Sequence, residues 1–82
     1  MAEAVCAAVR DRLPAGVAVT FAAEETWRIR RRRRGVWRVW GEAYAGSGDL
    51  RLIIRFCALV RLTPAGWRVQ RVDTANSLMA AE

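Results

Sequence analysis

The stretch TWRIRRRRRGVWRVW, residues 26–40, sets seven arginines and three tryptophans around one glycine. On both sides of that glycine, apolar residues recur at every second position, the period of a strand with one buried face. Gly35 can supply the left-handed residue of a three-residue hairpin loop at 33–35. Such a loop pairs Arg32 with Val36, and directly opposed residues share a face. Trp27, Ile29, Trp37 and Val39 then share one face. Arg28, Arg30, Arg32, Arg38 and Trp40 occupy the reverse, and Arg31, Arg33 and Arg34 project beyond the hairpin.

The segments that follow obey the same parity. VWRVWGEAYA (36–45), LRLIIRFCALVRL (50–62) and WRVQRVD (67–73) read as strands, separated by GSGD (46–49) and TPAG (63–66). A loop at 46–49 pairs Ala45 with Leu50. This adds Leu52, Ile54 and Phe56 to the apolar face and puts Gly41 opposite Ile54. A turn at 63–66 pairs Leu62 with Trp67 and adds Val60, Trp67 and Val69. The alternation fails at Arg71 and Asp73, which predicts a bulge or a fraying end near Gln70. VAVTF (17–21) is a further strand whose partner the AEE loop (23–25) leaves open.

Upstream, Val5, Val9 and Leu13 fall at helical spacing, which predicts a helix over 2–13 that opens near Glu3 and stops at Pro14 and Gly16. The fold class expected is α+β: an N-terminal helix packed on one face of a four- or five-stranded antiparallel β-meander. One domain spans 1–82, with the helix at 2–13, the sheet at 17–73 and a tail at 74–82 that is helical or frayed. At 82 residues and 54% hydrophobic, the chain has room for a single core.

The reverse face continues through Glu42, Tyr44, Arg51, Ile53, Arg55, Cys57, Leu59, Arg61, Arg68, Gln70 and Val72. It is an arginine rim around an apolar cluster, and contiguous exposed apolar surface marks an interface. Trp40, Tyr44, Ile53, Cys57, Leu59 and Val72 are therefore the expected dimer or partner contacts. Cys6 and Cys57 fall on opposite sides of the sheet, which disfavours a disulfide between them.

All fourteen basic residues are arginine, and the net charge is +6. Base composition of the coding sequence accounts for the missing lysines but not for the placement. Residues 28–72 hold twelve arginines against two acids, whereas residues 1–27 hold two against four. A field so concentrated attracts phosphates, acidic proteins or anionic lipid. The lack of an amphipathic basic helix disfavours a membrane surface. No apolar stretch is long enough for a spanning helix, and the start lacks a signal peptide's basic region, so a cytoplasmic location is expected.

Catalysis is not expected, because there is no histidine or lysine and no nucleophile in a motif. Glu24 and Glu25 read as a solvated turn pair. No cofactor, metal or small-molecule substrate is implied. Two partner classes stay open. One is DNA or RNA, held by Arg28, Arg30, Arg31, Arg32, Arg33, Arg34, Arg38 and Trp40, with a homodimer expected. The other is an acidic protein, bound by a small interaction module or by an inhibitor of the phage or mobile-element kind that covers a host complex.

Overall fold

The computed structural model describes residues 1–13, 17–47 and 50–80, with the side chains of 47, 50, 51 and 76–80 excepted. One helix, α1 (Ala2–Asp11), precedes five antiparallel strands. These are β1 (Val19–Phe21), β2 (Arg28–Arg33), β3 (Val36–Ser47), β4 (Leu50–Thr63) and β5 (Gly66–Ala80). The fold is the expected α+β meander. Among the described residues no helix is long and apolar enough to cross a membrane.

The order across the sheet is β3–β4–β5, with β1 and β2 both paired to the outer edge of β3. β2 runs beside residues 36–40 and β1 beside Ala43–Ala45. The two are halves of one edge strand, parted by residues 22–27, where a single 3-10 turn spans Glu24–Thr26. Both acids of that turn are exposed. Its geometry answers what the sequence left open, the partner of β1.

Parity holds from β2 to β4, but two registers differ from expectation. Ser47 pairs with Leu50, so β3 runs two residues further into the GSGD segment, and Gly41 faces Phe56 rather than Ile54. A shift of two leaves every side chain on its expected face. In the first hairpin Arg33 pairs with Val36, and the irregularity lies between Arg31 and Arg33 instead of in the loop. Gly35 takes the positive φ (73°) that the turn requires. Its carbonyl accepts from the Leu62 amide at 2.9 Å, tying the hairpin to β4.

The bulge expected near Gln70 is present: Leu59 faces Arg71 while Val60 faces Val69. Beyond it the faces exchange. Val72 turns to the helix side, 5% exposed opposite Ala58, and is not part of the reverse face as expected. The segment 74–80, expected to be helical or frayed, continues β5 against Leu50–Phe56. Residues 50–56 of β4 lie beyond the reach of a strand that stops at 73, so their open backbone groups need a partner, and the tail supplies one.

α1 is shorter than expected, ending at Asp11; Pro14 and Gly16 lie outside the described residues. Its buried Val5 and Val9 enter a cluster with Trp27, Val39, Phe56, Ala58, Val60 and Val72. The Arg12 guanidinium donates to the Val72 carbonyl beside the bulge. Leu13 joins a second cluster built on Ala43, Ala45 and Ile54. The helix packs on β4 and β5, and ten residues make only about 15 Å of it, against a molecule 44 Å long. The apolar face is therefore covered only in part. Ile29, on that face by register, is 46% exposed, and Leu62 is 49% exposed.

At Gly41 two aromatic rings converge, Phe56 from β4 and Trp27 from the segment between β1 and β2. A Cβ there would lie 2.5 Å from Phe56 Cζ and 2.9 Å from Trp27 Cδ1. Trp27 meets Phe56 edge-on at 5.2 Å between centroids, and Phe21 closes the trio at 6.0 Å from Phe56. The Trp27 indole donates to the Ala22 carbonyl at 3.1 Å. Since each ring is wedged by the others, neither can swing away from a new methyl group. Gly41→Ala is expected to cost about 1–3 kcal/mol of stability, read by chemical denaturation. A variant as stable as the parent would show that the rings yield freely.

Candidate functional site

The reverse face of β2 and β3 brings the predicted residues into two groups. The first centres on Trp40, which is half-buried. Arg28, its direct partner on β2, places its guanidinium carbon 5.6 Å from the ring centroid, and Arg38, two residues along β3, lies at 5.8 Å. Both cations are thus held against the ring's negative face. Arg30 stands opposite Arg38, a like-charge pair that disfavours the sheet.

The second group lies nearer the hairpin tip. Arg32, Arg33, Arg38 and Leu59 line a small recess of about 150 Å³ around Val36. Val36 is only 1% exposed although it lies on the reverse side, because the aliphatic stems of these arginines cover it. This differs from an Arg33 that simply projects past the tip. Arg34 sits in the turn and is exposed, and Arg31 faces Trp37 on the helix side, separated from the others by the sheet.

Charge on this face is largely uncompensated. Two ion pairs form among the described residues, Arg55–Glu42 at 3.7 Å and Arg71–Asp73 at 3.1 Å. Neither involves a hairpin arginine. The expected partner contacts Tyr44, Ile53, Cys57 and Leu59 do share the reverse face with Trp40, at intermediate or greater exposure; Val72 does not. Cys6 and Cys57 are both free and lie on opposite sides of the sheet. Burial pushes the Cys6 thiol above its ordinary pKa, a rise that nearby Arg10 opposes and Glu24 reinforces.

A groove of about 470 Å³ opens where β1 and β2 part. Arg28, Trp40, Glu42, Tyr44 and Arg55 line it, with Gly41 and Phe56 among its floor. Its existence follows from residues 22–27 leaving the sheet edge to bury Trp27. A single sequence gives no signal for this recess, since it depends on how two strands share one edge.

The helix side carries a feature that sequence reasoning assigned wholly to the core. Trp37 and Trp67 meet edge-on at 5.0 Å, both half-buried, with Ile29 and Leu62 exposed beside them. The signal available was length: a short helix cannot cover strands of fourteen and fifteen residues.

The opposed arginines give a direct check on whether this face is shaped by stability. Arg30→Glu replaces a repulsive cross-strand pair with an attractive one. It is expected to stabilise the fold by about 0.2–1 kcal/mol, measured by denaturant midpoint; a destabilised variant would mean that Arg30 has a structural partner. Comparison with protein-family models, curated proteins and solved structures finds no match to this chain.

Proposed function

We propose that this protein binds nucleic acid on the reverse face of its arginine-rich hairpin. The observation that carries the reading is Trp40 with Arg28 and Arg38 over its ring, on a face where the ion pairs among the described residues involve no hairpin arginine. A ring flanked by cations suits a strand whose bases stack while its phosphates pair with guanidinium. The chain tolerates the Arg30–Arg38 opposition at a cost to the sheet, and bound phosphate would relieve it. A half-exposed aromatic favours single strands, in which bases are free to stack.

The test is fluorescence anisotropy with labelled single-stranded DNA and RNA across ionic strength. Micromolar or tighter binding is expected at low salt, weakening steeply as salt rises. Arg28→Gln, Arg30→Gln and Arg38→Gln together keep the side-chain stems but remove three charges. That variant is expected to lower the salt slope by about 2, from roughly 0.7 per phosphate on a single strand. Unchanged binding in it, with the fold intact, would place the site elsewhere.

A second reading rests on the opposite side of the sheet. Trp37, Trp67, Ile29 and Leu62 form an apolar patch with aromatic anchors of the kind that dominates interfaces. We assign it to association with a second copy of this chain, which leaves both basic faces outward. Leu62→Arg is expected to give a folded monomer in sedimentation velocity. A wild-type chain that stays monomeric at high concentration would end this assignment without touching the nucleic-acid reading.

A further inference from the structure

The groove beside Trp40 holds something that a purely phosphate-gripping face has no use for: a carboxylate. Glu42 stands between Trp40 and Tyr44 on the same face of β3, opposite Arg55. Its Oε1 lies 3.7 Å from Arg55 Nε, and its Oε2 accepts from the Tyr44 hydroxyl at 3.3 Å. The carboxylate is thus held from two sides while its side chain stays 45% exposed. A negative charge here weakens phosphate binding, so its place among the arginines calls for a different partner.

An ionised carboxylate can only accept hydrogen bonds, and a guanidinium can only donate them. Glu42 and Arg55 together therefore offer two acceptor positions followed by a donor. Guanine matches this pattern, because its Watson–Crick edge presents N2–H and N1–H donors followed by the O6 acceptor. Adenine and cytosine set one donor beside an acceptor, and uracil or thymine sets one donor between two acceptors. Neither arrangement can give two hydrogen bonds to one carboxylate. The groove volume of about 470 Å³ falls in the range of small-ligand pockets, with an aromatic surface against which a base can lie.

We propose that this groove is a guanine-selective base pocket. The base stacks on Trp40, its N1–H and N2–H donate to Glu42, and its O6 accepts from Arg55. Arg28 leaves the indole ring for the adjacent phosphate, exchanging a cation–π contact for a charge-assisted hydrogen bond. Tyr44 is a positioning residue that holds Glu42 Oε2. The inference rests on the nucleic-acid reading above and adds a base preference to it.

The experiment compares short oligouridines carrying one central guanosine, inosine or adenosine, with anisotropy as the readout. Guanosine is expected to bind about tenfold tighter than adenosine, the discrimination of one good bidentate contact. Inosine, which lacks the N2 amino group, should fall between them. In Glu42→Gln the preference collapses while affinity for plain oligouridine rises, because a repelling charge has gone. Tyr44→Phe, which removes only the hydroxyl, weakens the preference and guards against a folding defect in the first variant. Equal affinity for guanosine and adenosine, or a preference that survives Glu42→Gln, overturns the pocket but leaves general binding standing. Binding of no oligonucleotide at low salt overturns both.

Discussion

The close approach of Trp27 and Phe56 over Gly41 is the constraint on which the rest of the molecule depends. A side chain at position 41 would push the two rings apart, since the space its Cβ needs is already filled. Because that space is filled from the side, the chain at 22–27 must leave the sheet edge so that Trp27 can reach inward. The edge strand is consequently split in two, and the split opens the groove on the other side of the sheet. One glycine thus links the packing of the core to the shape of the basic face. The aromatic trio also offsets what a glycine loses in a strand, where it packs nothing of its own.

A second constraint is one of length. Strands of twelve to fifteen residues make a sheet that a ten-residue helix cannot cover. Under the helix the face is closed: Val5, Val9, Val39, Ala58 and Val60 have no exposed surface. Towards the hairpin tip, the same alternating pattern leaves Trp37 and Trp67 half-buried at the margin of the core and Ile29 and Leu62 exposed. Identical patterning therefore yields core in one place and surface in another, and only the reach of the helix separates the two. On the reverse side, arginine stems do locally what the helix does on its own side, and so Val36 is dry without a second layer of structure.

Much of this could be read from the residues alone, because period-two alternation and turn chemistry both constrain parity. The faces of Trp27, Trp37, Trp40, Ile54 and Phe56 follow from hairpins whose turns agree. The irregularity near Gln70 was legible too, since Arg71 could not be buried. A bulge reverses the alternation for everything beyond it, which returns Val72 to the core and lets residues 74–80 continue as strand. The two-residue register shift at Gly41 was not legible, as it changes neighbours without changing faces. Of the site, the arginines and Trp40 stand out by composition. The roles of Glu42 and Tyr44 emerge only once the groove between β1 and β2 places them beside Arg55.

The link between Arg12 and the Val72 carbonyl joins positions sixty residues apart, and its effect reaches into how the chain acquires its shape. The three long strands pair in chain order, so each can zip onto the one before it. The helix comes first in the chain, yet its main platform is β5, the final strand. It has no platform to dock on until β4 and β5 have paired. Closing that long loop carries a larger entropic penalty than any of the strand pairings. The helix is thereby among the last elements to settle, although it precedes every strand.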